Sequence, residues 1–293
     1  MIGICFLVCI LSTMIGAISG IGGGVIIKPM LDMTLPLGMP TISLISSFAV
    51  LSMSLFSVGR NYLKKDRQTL SLRVAVPLAI GSTAGGVLGK SAFAAVTAML
   101  AADRQVKVVQ NVVLFALMLV VLVSALRSGE KRETPARAPW TGLVAGLILG
   151  VLAAFLGIGG GPLNMLALTG FYGMLHKEGA LYSLFIIIFS QTAGIITALC
   201  TGSGALPQLS LLLTACAAGI LGGVIGRRFA ARMSNTAVRR LYNAALVFIL
   251  AICAVNILSV LLAHKRGAFP CGRAPFVWAG CARLGSYSGS ALA

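Results

Sequence analysis

Two copies of the pentapeptide GIGGG are the residues of this chain with the clearest potential for chemistry. They occupy residues 20–24 and 157–161, and each lies inside a long apolar segment. Consecutive glycines permit an unwound turn within a helix and leave no side chain to obstruct a ligand. The N–H groups of such a turn, with the positive end of the helix that follows, can bind an anion. The alternative is that the glycines only allow close helix packing.

Polar side chains near these glycines are candidate ligands. Hydroxyl and amide groups can hydrogen-bond an oxyanion without the cost of burying a full charge. Lys28 could attract an anion, and Asp32 could be its counter-ion or part of a proton path; snorkelling of the lysine and a loop position for the aspartate are the alternatives. The predicted substrate-binding residues are Gly22, Gly23, Gly24, Gly159, Gly160, Gly161, Asn164, Ser43, Ser46, Ser183, Ser190 and Gln191.

Motifs for catalysis, nucleotide binding and metal binding are missing from the sequence. HExxH, GxSxG and the Walker loop GxxxxGK[ST] do not occur, and the two histidines, His176 and His264, lie near segment ends. The five cysteines within apolar segments lack CxxC spacing, which favours a packing role. We therefore predict that the protein is not an enzyme and binds neither a cofactor nor a metal.

The segments that carry these residues are long and apolar. The chain of 293 residues is 58% hydrophobic and 10% charged, and residues 1–27, 33–59, 140–175 and 179–226 contain no charged side chain. A helix needs about 20 apolar residues to cross a bilayer. The composition therefore predicts an all-α polytopic membrane protein.

The net charge of +17 lies in short basic clusters between apolar segments. Such clusters are typical of residues that set membrane topology and contact anionic lipid headgroups. The expected partners are a small anionic substrate and the lipid bilayer, without nucleic acid, and the sequence leaves open whether the chain forms a homo-oligomer.

The sequence repeats itself with a period of 137 residues. GIGGG recurs at this offset, and so does GGVxGK/R, a pattern whose glycine spacing favours helix packing. Each half supplies four apolar segments, at 2–36, 41–60, 72–95 and 106–126, then at 140–174, 179–200, 207–230 and 238–262. The predicted organisation is a first transmembrane repeat at 1–126, a cytoplasmic linker at 127–139, a second repeat at 140–262 and a disordered tail at 263–293.

The positions of Lys and Arg indicate how the segments cross. Eight complete crossings would divide the basic residues before the tail almost evenly, nine against ten. If each GIGGG segment enters the membrane and returns, fifteen lie on one face and four on the other, which satisfies the positive-inside rule. The four are Lys28, Lys90, Arg104 and Lys107. We therefore expect inverted halves with broken or re-entrant first segments, as in many secondary transporters.

These motifs resemble those of the TauE/SafE family of sulfite exporters, also called the 4-toluene sulfonate uptake permease family. The resemblance is carried by the duplicated GIGGG, by PTISL at 40–44, by GGVLGK at 85–90 and by the following helix with Asn111, and it extends to about Leu262. The first half has Val25 where the second has Pro162, and the last thirty residues match nothing in the family.

The resemblance implies a permease for sulfur-containing anions such as sulfite, thiosulfate or organosulfonates. We expect a secondary transporter that works by alternating access in a bacterial plasma membrane. An anion-selective channel and a non-transporting membrane scaffold or assembly factor remain the alternatives.

Overall fold

The computed structural model describes residues 1–35, 37–63, 70–100, 103–127, 139–155, 160–200 and 207–265. This described part contains ten α-helices, one π-helical turn and no strand. The elements are α1 (Ile2–Ser19), α2 (Gly24–Thr34), α3 (Met39–Leu63), α4 (Leu72–Leu100), α5 (Asp103–Arg127), α6 (Pro139–Phe155), α7 (Gly161–Leu166) with the π turn Ala167–Phe171, α8 (His176–Cys200), α9 (Leu209–Arg232) and α10 (Asn235–Lys265).

Six of the described helices contain stretches that are long and apolar enough to cross a membrane. These stretches are Ile2–Ser19, Pro40–Asn61, Leu72–Ala92, His176–Cys200, Leu209–Arg232 and Asn235–Val255. Shorter apolar helices cover Val112–Arg127 and Trp140–Ala154. Helices suit such sequences because their backbone hydrogen bonds are satisfied within the segment. The prediction of an all-α polytopic membrane protein is confirmed.

The helices follow the period seen in the sequence. In the first half they begin at Ile2, Gly24, Met39 and Leu72, and in the second half at Pro139, Gly161, His176 and Leu209, each 137 residues later. The predicted linker and tail lie largely outside the described residues: α5 ends at Arg127, α6 begins at Pro139, and α10 continues to Lys265.

The two halves exchange their packing partners. Helix α1 packs mainly on α9, while its counterpart α6 packs mainly on α4. Likewise α3 packs on α9, and its counterpart α8 packs on α4. Two helices also pack directly on their own counterparts, α3 on α8 and α5 on α10. Exchanging the two halves therefore leaves these helix pairings unchanged.

The first segment is a helical hairpin and not a continuous helix. Because a helix rises about 1.5 Å per residue, residues 12 and 23 of one helix would be about 16 Å apart. Instead, a Cβ built on Gly23 would lie 2.8 Å from the Ser12 carbonyl oxygen and 3.2 Å from Thr13 Cα. The chain thus reverses between α1 and α2, so that the start of α2 lies beside α1.

The corresponding segment of the second half also turns back. Gly142 is near the start of α6, and Tyr172 directly follows the π turn. Thirty residues of continuous helix would separate them by about 45 Å. In the structure a Cβ on Gly142 would lie only 3.0 Å from the Tyr172 hydroxyl oxygen. Both glycine-containing segments therefore return toward the end from which they entered.

Five of the six glycines of the GGVxGK/R pattern, all except Gly86, bring helices into close contact, as predicted. A Cβ on Gly222 would lie 2.7 Å from the Ile10 carbonyl oxygen, and one on Gly226 would lie 2.6 Å from that of Met14. Gly85 and Gly89 approach the backbone of α6 in the same way. Backbones this close leave no room for a larger residue, so these glycines fix α9 against α1 and α4 against α6.

Candidate functional site

The first GIGGG motif forms the turn between α1 and α2. Gly20, Gly22 and Gly23 have φ angles of 78°, 88° and 67°. Other L-residues disfavour this left-handed region by roughly 1–2 kcal/mol each, which explains why glycine occupies it. The Ser183 hydroxyl of α8 donates a 2.6 Å hydrogen bond to the Gly20 carbonyl. This bond ties the turn to the second half of the chain.

The two glycine motifs meet in the interior. A Cβ on Gly161 would overlap the Ile21 backbone, including Ile21 Cα at 2.9 Å. A small cavity of about 20 Å³ lies beside this contact. Its lining residues are Ile21, Gly22, Gly24, Val25, Lys28, Ser46, Val50, Gly161, Ile187 and Gln191. One backbone donor is already engaged there, because the Gly24 N–H donates to the Gly22 carbonyl at 2.7 Å.

A larger cavity of about 120 Å³ adjoins it, and Lys28 and Gln191 line both. Since a cavity needs only roughly 10–15 Å³ of such space to hold one water, this space suits a small anion or several waters. The remaining lining residues are Ser43, Ser47, Ser82, Thr83, Gly86, Val87, Lys90, Gly150, Ala153, Ala154, Gly160, Ser190, Ala193, Gly194 and Thr197. They come from helices α3, α4, α6 and α8 and from the second glycine motif.

The charge on the larger cavity is positive. Lys28 of α2 and Lys90 of α4 both line it, and among the described lining residues there is no Asp or Glu. A Cβ on Gly194 would lie 3.5 Å from the Lys90 Nζ, so this ammonium group reaches the wall formed by α8. Hydroxyls of Ser43, Ser47 and other lining residues complete a surface rich in hydrogen-bond donors.

Most of the predicted binding residues lie on one of the two cavities. Gly160, Ser43 and Ser190 line the larger cavity, Gly22, Gly24, Gly161 and Ser46 line the smaller one, and Gln191 and Lys28 line both. The structure thereby brings together residues from four separate parts of the sequence. Gly159 lies outside the described residues.

Four predicted residues line neither cavity. Ser183 and Gly23 support the first turn, the former through its bond to Gly20 and the latter as the residue that precedes α2. Asn164 is buried, and its side chain lies against Gly160, with Nδ2 3.3 Å from a Cβ built there. Asp32 lies near the end of α2 and is half-buried. Ser183, Gly23 and Asn164 therefore adjoin or support the two glycine turns. Asp32 has no such contact with either turn among the described residues.

The sequence did not single out Lys90 and Thr83 as ligands. Both line the larger cavity, and the buried Thr83 hydroxyl has no hydrogen-bond partner among the described residues. Lys90 ends the GGVLGK motif, whose glycine spacing predicts helix packing. The signal that identifies it is charge conservation across the repeat, since Arg227 occupies the corresponding position of the second half.

Comparison with known families agrees with this architecture. The family described as sulfite exporter TauE/SafE matches residues 5–253, which include both glycine motifs and both cavities. No individual curated protein and no solved structure gives a significant match. The family match spans most of the 293 residues, and with six candidate membrane spans the chain is an integral, multi-pass membrane protein. It belongs to the TauE/SafE family of sulfite exporters.

Proposed function

We propose that the protein is a secondary transporter of a small sulfur oxyanion or organosulfonate and that the two adjoining cavities are its binding site. The observation that carries the proposal is the lining of the larger cavity: two lysines, several hydroxyls and no carboxylate among the described residues. Ionisable residues within membrane segments are costly, and they usually mark the path of an ion or substrate. A family of exporters for sulfur anions is consistent with this chemistry.

The site would recognise the anion by charge and by hydrogen bonding together. At an effective dielectric constant of about 20, one unit charge 4 Å away contributes about 4 kcal/mol, so Lys28 and Lys90 would supply much of the attraction. Hydroxyls such as those of Ser43 and Thr83, with the Gln191 amide, would donate to the oxygens. Donors on several sides favour a tetrahedral or pyramidal oxyanion over a planar carboxylate.

We also propose that the halves are inverted in the membrane. If each helical hairpin returns to the side from which it entered, α3, α4 and α5 give the first half three full crossings, and α8, α9 and α10 give three to the second. An odd number of crossings reverses the second half. The larger cavity then opens to the side with few basic residues, which is the outer side by the positive-inside rule.

Alternating access follows from inverted halves, because the same fold can open toward either side. A binding site at the meeting point of the two hairpins would be reached from one side at a time. Without a nucleotide-binding motif in the sequence, an ion gradient or the membrane potential would drive transport.

The test is binding and transport with purified protein and its lysine variants. Sulfite, thiosulfate, sulfoacetate, taurine and unrelated carboxylates are screened by isothermal calorimetry and by uptake into proteoliposomes. Lys28→Gln and Lys90→Gln should each weaken anion binding at least tenfold, which corresponds to about 1.4 kcal/mol. Lys177→Gln is the matched control because its Nζ contacts the carbonyls of Ala231 and Met233 and does not line either cavity.

Each outcome of this experiment has a definite meaning. The proposal is supported if sulfur oxyanions bind more tightly than carboxylates, and if this binding is lost in both cavity lysine variants and kept in the Lys177 control. Equal losses in all three variants, or a preference for carboxylates, contradict the assigned site. Uphill accumulation under an imposed gradient supports a carrier, whereas purely downhill flux at channel rates contradicts one.

A further inference from the structure

We propose that the protein contains a second anion path, closed in this structure, between α3 and α9. It is lined by Ser54, Ser57 and Gly223 and flanked by Arg227. The inference rests on the proposed transport function and identifies which residues would face the anion on the opposite side of the membrane.

The location follows from the internal repeat. Shifting residues by 137 places Gln191 of the open cavity on Ser54, Gly194 on Ser57 and Gly86 on Gly223. Helices α3 and α8 have the same length and offset, so this correspondence holds along both helices. Because α8 packs on α4 as α3 packs on α9, the open wall between α8 and α4 has a counterpart between α3 and α9.

The two counterparts differ in whether they are open. A Cβ on Gly86 would have no neighbour within 4 Å, consistent with its position on the cavity. A Cβ on Gly223 would instead lie 3.1 Å from the Met53 carbonyl oxygen and 3.2 Å from the Ser57 hydroxyl oxygen. The α3 and α9 helices therefore touch where α8 and α4 are apart.

The closed contact contains hydroxyl groups that packing alone does not explain. Ser54 and Ser57 are 0% and 1% exposed, and neither hydroxyl has a hydrogen-bond partner among the described residues. Ser52 on the same helix, in contrast, donates to the Phe48 carbonyl at 2.8 Å. A buried hydroxyl without a hydrogen-bond partner is destabilising. If the contact between α3 and α9 were permanent, alanine would fit these two positions better than serine. Water or substrate in an open state would satisfy them.

Charge is retained along with the hydroxyls. Arg227 occupies the position equivalent to Lys90, and it lies one helical turn beyond Gly223 on α9. An arginine at this level would attract the same anion that Lys90 attracts on the open side. Since α9 ends within the basic region, this path would lead to the cytoplasmic face.

Cross-linking the closed contact tests whether it must open. The double variant Ser57→Cys with Gly223→Cys places two Cβ atoms within disulfide reach, since a Cβ on Gly223 already lies 3.2 Å from the Ser57 hydroxyl oxygen. Copper phenanthroline should oxidise the pair, abolish transport in proteoliposomes, and leave transport recoverable with a reductant. The wild-type protein and each single variant, treated with the same oxidant, are the controls for the native cysteines.

Accessibility of single cysteines provides an independent measurement if the glycine variant does not fold. Ser54→Cys should react with a charged, membrane-impermeant thiol reagent from the cytoplasmic side during transport, while Gly194→Cys should react from the outer side. Leu55→Cys is the matched control because Leu55 lies next to Ser54 on an exposed apolar surface, where a charged reagent has no aqueous route. Peptide mass spectrometry identifies the modified position without removal of native cysteines.

The outcomes separate this inference from the proposed function. Reversible inhibition by the cross-link and labelling of the cysteine at position 54 from the cytoplasmic side support the second path. Full transport in the oxidised double variant overturns the second path. So does the absence of labelling at position 54 when wild-type transport and labelling at position 194 persist. Absence of anion transport by the wild-type protein would contradict the proposed function instead.

Discussion

Gly23 and Gly160 occupy equivalent positions of the repeat, but the structure predicts that alanine destabilises the protein much more at Gly23 than at Gly160. Gly23 has φ of 67°, where an L-residue is disfavoured by roughly 1–2 kcal/mol. Its Cβ would also lie 2.8 Å from the Ser12 carbonyl oxygen, and overpacking against backbone costs about 1–3 kcal/mol. Gly23→Ala should therefore lower the free energy of unfolding by about 2–5 kcal/mol.

Gly160 is under neither constraint. Its φ is −36°, and the three atoms nearest to a Cβ there, at 3.3–3.6 Å, all belong to the Asn164 side chain and not to the backbone. Gly160→Ala should therefore cost less than about 1 kcal/mol, below the usual range for overpacking a core. It should also narrow the larger cavity, so that anion affinity falls while stability is kept.

Equilibrium unfolding in mixed detergent micelles, followed by tryptophan fluorescence and by size-exclusion chromatography, compares the two alanine variants. Gly59→Ala is the reference because Gly59 is an exposed helical glycine with no neighbour within 4 Å of its Cβ. Equal destabilisation by Gly23→Ala and Gly160→Ala, or a larger loss at Gly160, would refute the argument. Such a result would mean that the two turns have the same backbone conformation.

Two further substitutions test the contacts that hold the hairpins. Ser183→Ala should lower the free energy of unfolding by about 1–3 kcal/mol, because it leaves the buried Gly20 carbonyl without the 2.6 Å hydrogen bond. Thr192→Ala is the control, since the exposed Thr192 hydroxyl bonds only within its own helix. Equal losses in the two variants would contradict this role of Ser183. Tyr242→Phe removes a 3.2 Å bond to the Pro162 carbonyl and should cost about 0.5–1.5 kcal/mol in the same unfolding assay, with unchanged stability as the contrary result.

The helical class and the segment limits could be predicted because they depend on local composition. Long charge-free stretches specify helices in a membrane, and the 137-residue period gave the correspondence between the halves. The interruption of the first segment was also predictable, since three of the glycines at residues 20–24 adopt a left-handed φ that other residues avoid. These properties are set by residues close together in the sequence.

The different roles of individual polar residues could not be predicted in the same way. Ser46 and its repeat counterpart Ser183 occupy equivalent positions, yet Ser46 lines the smaller cavity and Ser183 bonds to Gly20. Which of the two lines a cavity depends on how the surrounding helices pack, and that is a property of the whole assembly. A periodic pattern identifies both residues but cannot distinguish them.

The same asymmetry explains why the sequence alone does not identify Lys90 as a site residue. From the sequence, Lys90 and Arg227 are equivalent basic residues at the ends of packing motifs, and neither has a priority as a ligand. Lys90 reaches the cavity through the gap between α4 and α8. The corresponding helices α3 and α9 are in contact at Gly223 and leave no such gap. If the second path opens as proposed, Arg227 would take that role in the opposite state. The pair would then serve as one anion-attracting position used alternately from the two sides of the membrane.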